Sequence, residues 1–359
     1  NIKFKLKKFM SKFYDYKSDS EVSFDLSSKT IDDEWTNVFN KLVFQPVEYT
    51  YLINKYQNEY FKDQYINLSS VIYFKDTPVG IWPLNLDIKK KQVKTYFRYL
   101  LPPLLNKNLD RESKLKIFNE CCLYLIFLIK NLGVKEINVV NETYHKSDKL
   151  FFDILSKYFE YKTSNDQTLL IDLSISISEI KKDFRKSFKS IVNLEKLDHN
   201  LKINFLDDKN YDDSIWEQFC QLHFQVAKRK TRSQKTWDIQ SETIKKGIGQ
   251  LIYVTEKKTG KLISGSLYHY TRDDLIYSSN ASLNEYRKYY LGHKTQFYSI
   301  NLFKNKKIKY YYLSYDIDSN DFEGIRVDEK FKQVLRFKSG FGKTKKLRQI
   351  FYLWKKLWI

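Results

Sequence analysis

One order of elements runs through this chain twice. In the first half, Tyr49 to Tyr60 places Tyr49, Leu52, Ile53, Tyr56 and Tyr60 on one face at helical spacing. A strand over 69–74, a turn at 75–78 and a second strand over 79–86 carrying Gly80 follow as a hairpin. A long apolar helix from Ser113 to Leu132 ends at Gly133, and a strand over 136–140 comes next. In the second half, a helix over 216–229, a strand over 250–255, a turn and a strand over 262–270 carrying Gly265 take the same places. A strand over 275–279, a helix from Gly292 to Asn305 and a strand over 309–316 complete the series. The match is of element order, not of residue identity. It predicts a duplicated α/β (α+β) chain of two domains, each a mainly antiparallel sheet flanked by helices.

The length, 359 residues, suits two such domains. We place the boundary near Ser174 to Glu179, after a strand over 168–173. The first domain then covers 31–175 and the second 176–343. A basic arm over 1–30 precedes them, and a basic amphipathic tail over 344–359 follows. With 42% hydrophobic and 17% aromatic residues, the chain has ample material for a core, which excludes global disorder. The longest apolar run, Cys121 to Ile129, is far too short to cross a bilayer. Three cysteines without a Cys-x-x-Cys pair give neither a disulfide framework nor a zinc site. No signal segment is visible, so a cytoplasmic, reduced protein is expected. The net charge of +20 fits an anionic partner, but it also follows from a composition crowded with Lys, Asn, Ile, Phe and Tyr. Local clusters must therefore carry any binding argument.

The segment Phe337-Lys338-Ser339-Gly340-Phe341-Gly342 resembles the closing motif of the FemABX-like transferases. Four further features line up with it. The basic helix Phe184 to Ile191 resembles the one opening that family's second domain. Gly265, on a strand followed by an aromatic-rich strand, resembles the acyl-transfer core. Gly292 opens a helix in the corresponding place, and Tyr315-Asp316 ends the strand before the closing motif. The resemblance spans about 40–342. It implies two fused domains of the GNAT acyltransferase fold, and transfer of an acyl or aminoacyl group to an amine on a cell-envelope sugar or peptidoglycan precursor. One departure stands at 286–296. A full GNAT pyrophosphate loop has two close glycines after a basic residue, and here Gly292 stands alone, which weighs against ordinary acetyl-CoA binding. The first domain has no such loop and is expected to be the non-catalytic, acceptor side; the second is the donor side.

Acyl transfer to an amine needs donors aimed at the developing oxyanion, a neutral amine and a place for the donor's phosphates. Lys338, between two aromatics, suits the oxyanion and by resemblance lies near the reacting centre. Asp316, at a strand end, suits proton acceptance or orientation of the amine, with Asp318 beside it; the alternative is an ordinary loop carboxylate. His269 is a candidate base, or a structural strand histidine. Arg287, Lys288, Gly292, His293 and Lys294 form a basic helix start fit for phosphates, or a solvated one. Arg185, Lys189, Tyr268 and Phe337 are candidate substrate contacts. A second basic cluster, Lys228 to Arg232, suits phosphates or is a solvated face. No nucleophile elbow and no P-loop is present.

Three functions compete. The first is a CoA-dependent N-acyltransferase acting on a nucleotide- or lipid-linked amine by direct attack in a ternary complex. The second is an aminoacyl-tRNA-dependent transferase acting on a peptidoglycan precursor. The third, a non-catalytic nucleic-acid-binding protein, lacks any recognised binding motif. The C-terminal tail, with Trp354 and Trp358 among lysines, suits an interfacial helix on an anionic membrane, or packing on the core.

Overall fold

The computed structural model describes residues 21–26, 31–95, 99–193, 195, 197–315 and 329–355. They divide into two compact units, one up to Asn165 together with Leu347 onwards, the other Asp166–Lys346. The division falls ahead of the boundary expected near Ser174 because Thr168–Asp172, the end of strand Phe159–Asp172, pair with Tyr310–Tyr315 of the second unit. Both units mix helices with mainly antiparallel strands, the fold class expected from the repeated order. No helix among the described residues is long and apolar enough to cross a membrane.

In the first unit the hairpin forms as read, with Ser70–Phe74 antiparallel to Thr77–Trp82. Val22–Asp25 and Leu104–Leu105 flank it. A second group of strands runs Tyr65–Asn67, Asn85–Asp87, Gln92–Lys94, Glu136–Glu142 and Thr344–Lys355. The parallel pairing of Gln92–Lys94 with Glu136–Glu142 is prolonged by Leu100, which bridges Val139. Leu100 N–H donates to Asn138 O at 2.8 Å, and Val140 N–H to Leu100 O at 2.9 Å. Helix Arg111–Leu132 has the ends its sequence promised. Asp110 accepts from Ser113 N–H at 2.7 Å, and Gly133 closes it at φ 65°. Its Ile117, Phe118, Tyr124, Leu125 and Leu128 are fully buried, and each such apolar side chain contributes about 1.5–3 kcal/mol.

The C-terminal segment corrects an expectation. Residues Thr344–Lys355 form a strand, not an interfacial helix. Arg348 to Leu353 pair antiparallel with Glu142 to Ile137. Ile350 enters one core cluster, Phe351 and Leu353 another, so both faces of the strand are covered. A run of aromatic and branched residues that fills two cores favours a pleated conformation over a one-sided helix. Residues 356–359, and all but Glu21–Leu26 of the N-terminal arm, lie outside the described residues.

In the second unit the strand order is Leu201–Leu206, Gly249–Glu256, Leu262–Tyr270, Asp274–Ser282, Tyr310–Tyr315 and Thr168–Asp172. One face packs on helices Asp213–Ala227 and Gln234–Lys245 through Trp216, Phe219, Leu222, Trp237 and Ile244. The other packs on Phe184, Phe188, Phe297, Ile300, Phe303 and Phe341. One pair alone in this order is parallel, and it is short. Asp274, Leu275 and Ile276 face Tyr310, Tyr311 and Tyr312, and the ladder stops there, although Asp274–Ser282 runs on against Leu262–Tyr270.

Candidate active site

Lys338 comes to this place through local packing. It lies in the last turn of helix Glu329–Ser339, which the sequence reading missed. Gly340 follows because Phe188 fills the space where a side chain would stand: a Cβ on Gly340 would lie 2.1 Å from Phe188 Cε2. The chain is pinned there by Arg185, whose N–H donates to Gly340 O at 2.8 Å and whose Nη2 donates to Arg336 O at 2.9 Å. Lys338 Nζ then lies 5.4 Å over the Tyr277 ring. Tyr277 is the first residue beyond the last parallel pair, Ile276↔Tyr312. The cation therefore sits where the two strands part. Among the described residues no carboxylate lies within ion-pair distance of it, and burial holds its ammonium down to about 8 from the usual 10.5.

Beneath Tyr277 lies a polar seam. Ser266, Tyr268 and Tyr311 of the sheet face Thr295, Gln296 and Ser299 of helix Leu291–Asn305, and all six are buried. The Tyr311 hydroxyl donates to Gln296 Oε1. Asn280 Nδ2 donates to Ser266 Oγ at 2.9 Å. Burial pushes the Tyr268, Tyr277 and Tyr311 hydroxyls up, so all three stay protonated. Buried polar side chains of this kind are tolerated between helix and sheet because they hydrogen-bond one another. Tyr277, Gln296 and Tyr311 escaped the sequence reading; three tyrosines on three strands carry no motif.

The basic helix start takes a different form from the one expected. Tyr290, in the left-handed region at φ 53°, precedes helix Leu291–Asn305 with no side-chain cap. Gly292 lies against Phe337, whose Cζ would be 3.7 Å from a Cβ placed there. His293 sits in an aromatic box, with ring centroids 4.4 Å from Phe188, 4.9 Å from Phe337 and 6.0 Å from Phe341. Burial, then the Arg185 charge, holds His293 down to about 4, so it is neutral at neutral pH. Lys294 is buried, while Arg287 and Lys288 are exposed, with Lys288 Nζ 5.0 Å over the Tyr289 ring.

The structure thus brings Arg185, Gly292, His293 and Phe337 into one cluster beside Lys338. Three candidates stand apart. His269 alternates to the opposite face of its strand from Tyr268, and burial with the Arg232 charge holds it down to about 3. A histidine that weakly basic does not serve as a base at neutral pH. Tyr268 has no exposed surface, and it packs on Tyr277, Phe303 and Tyr311 at 5.3, 5.6 and 6.3 Å. It supports the seam and touches nothing outside. Lys189 is exposed, and its Nζ donates to Lys182 O at 2.9 Å. Asp316 and Asp318 lie outside the described residues.

No protein-family model matches this sequence, and no curated protein matches it either. Solved structures do. FemX aligns with 92% of this chain and 97% of its own at a TM-score of 0.60 and 12% identity. L-PGS from Bacillus licheniformis aligns with 91% and 93% at 0.59 and 11% identity. The C-terminal domain of a proposed lysylphosphatidylglycerol synthetase from Agrobacterium fabrum aligns with 91% and 92% at 0.57 and 9% identity. The chain therefore shares the fold of FemX and L-PGS, as its resemblance to the FemABX-like transferases led us to expect.

Proposed function

We propose that this chain is a transferase that moves an acyl or aminoacyl group onto an amine, with its chemistry in the second unit. One observation carries the reading: a lysine cation with no carboxylate partner among the described residues stands where a parallel strand pair parts. An acyl donor laid along that gap offers its carbonyl carbon to an incoming amine. The amine lone pair attacks, the carbonyl oxygen takes up negative charge, and the Lys338 ammonium stabilises it. The bond to the leaving thiol or hydroxyl then breaks, and the amine's surplus proton leaves with that group or to solvent. All three cysteines are free and burial pushes each thiol up, away from a nucleophilic thiolate, so direct attack in a ternary complex is preferred to a covalent intermediate.

A CoA-type thioester is our first choice of donor, with a nucleotide- or lipid-linked amine of the cell envelope as acceptor. A second reading, an aminoacyl-tRNA donor adding to a peptidoglycan precursor, is favoured by the aromatic box. Phe337 and neutral His293 cover the helix start where a pyrophosphate would sit, and such rings suit the stacking of a terminal base. A structural neighbour whose named product, lysylphosphatidylglycerol, is an aminoacyl lipid points the same way.

Thermal unfolding with acetyl-CoA, longer acyl-CoAs, and charged and uncharged tRNA separates these readings. A ligand at a hundred times its Kd adds about 2.7 kcal/mol of stability. A rise with a CoA thioester that Gly292→Trp abolishes supports the first reading. A rise with charged tRNA alone supports the second. No rise with any donor counts against transfer altogether.

A further inference from the structure

The helix Asp213–Ala227 ends in a way that the core does not explain. Its Trp216, Phe219 and Leu222 face inward, yet Phe224 and Val226 on its last turn are 57% and 41% exposed. Lys228 then turns the chain in the left-handed region at φ 53°, and Lys228, Arg229 and Lys230 all face solvent. The far side of this loop is held fast. Thr231 Oγ1 lies 3.3 Å from His223 Nδ1, the Arg232 guanidinium stacks 4.6 Å over Trp237, and its Nη1 donates to Gln240 Oε1 at 3.1 Å. The basic run is therefore divided. Arg232 is built into the fold, while Lys228, Arg229 and Lys230 are presented outward in the residues that follow the exposed Phe224 and Val226. Between Glu217 and Asp238 the sequence has no acidic residue, so nothing along this stretch offsets the charge.

We propose that this tip, Phe224 and Val226 with Lys228, Arg229 and Lys230, docks the protein on an anionic lipid bilayer. Cations level with the lipid phosphates and apolar groups just below them are what an interfacial site requires, and long Lys and Arg stems bridge the two depths. Nucleic acid would use the same cations but would gain nothing from Val226, which offers no ring for a base to stack on. The proposal is independent of the transferase reading, because a bilayer is bound or not bound whatever the chemistry.

The test is co-sedimentation of the full chain with phosphatidylcholine vesicles and with mixed phosphatidylcholine–phosphatidylglycerol vesicles. Binding to the mixed vesicles alone is expected, weakening as salt rises. Replacing Lys228, Arg229 and Lys230 by Gln together lowers affinity by about fivefold per charge. Phe224→Ser with Val226→Ser lowers it at unchanged charge. The control removes an equal charge elsewhere, at the exposed Lys89, Lys90 and Lys91, and leaves binding nearly intact. Thermal midpoints of all variants, read in parallel, check that each is folded. Equal losses from the two triple variants would overturn the proposal, since net charge and not this tip would then be responsible. So would full vesicle binding by the tip variants accompanied by loss of tRNA binding, which would assign the tip to RNA.

Discussion

In the first unit the parallel ladder next to Glu136–Glu142 is carried on by Leu100, and in the second unit the corresponding ladder ends at Ile276↔Tyr312. The following helices differ in the same sense. Arg111–Leu132 starts on the Asp110 carboxylate, which repels an anion; Leu291–Asn305 starts on Tyr290 with no side-chain cap. The contrast extends to two lysines. Lys94 is buried with Asp87, Nζ to Oδ2 at 2.8 Å, whereas Lys338 lies over the ring of Tyr277 with no carboxylate beside it among the described residues. One element order therefore supports two outcomes. In one unit the gap is filled and the lysine is paired; in the other the strands part and, among the described residues, the lysine has no carboxylate beside it, which under the proposed function makes the second the reacting unit.

The sharpest way to break this contrast is to exchange the effects of the two lysines. Lys94→Met leaves Asp87 buried without its cation and is expected to cost about 3–5 kcal/mol in denaturant unfolding, with donor binding unchanged once folded. Lys338→Ala is expected to lower transfer by about 10²–10³-fold with little change in stability, since no buried carboxylate among the described residues loses its cation. If Lys338→Ala instead unfolds the protein and Lys94→Met leaves it intact, the assignment of the units is reversed.

The pH dependence sharpens the same point. Lys338 releases its proton near 8 in the folded chain against 10.5 unfolded. Below about 8 both states hold the proton and burial of the ammonium costs stability; as pH rises from 8 to 10.5 the folded state sheds it first, so that cost is relieved and stability rises. Activity that depends on the ammonium falls over the lower part of this window. In a pH–rate profile, Lys338→Arg, which stays charged, moves that falling limb upward. A smaller effect is expected at Tyr277. Loss of the ring in Tyr277→Leu removes a cation–π contact of about 0.5–2 kcal/mol, read as a modest fall in rate, and Tyr277→Phe restores it. The smallest effect belongs to the scaffold: Asp110→Ala lowers the thermal midpoint slightly and leaves donor binding untouched.

Much of the fold was legible because its signals are local. The helix closed by Gly133, the hairpin about 75–76 and the strand Leu262–Tyr270 follow from period, caps and turn residues alone. The tail was misread because its alternating basic and aromatic residues satisfy a helical face as well as a strand, and only the two cores that receive Ile350, Phe351 and Leu353 decide between them. Within the site, Lys338, Gly292 and Phe337 were found through a motif. For His269 the sequence left a base or a structural strand histidine open, and the strand face it takes with its burial favours the structural one; Tyr277 was missed because its role depends on where a neighbouring strand stops.

By itself the sequence determined most of the helices and strands, their repeated order, and the short stretch in which Lys338 precedes two glycines. These depend on neighbours along the chain. The tertiary structure alone decided where the parallel ladder ends, which ring lies under the Lys338 ammonium, and that His269 and His293 are neutral. Those properties arise from packing and from the withdrawal of water by residues distant in sequence, and a single chain of letters does not carry those distances.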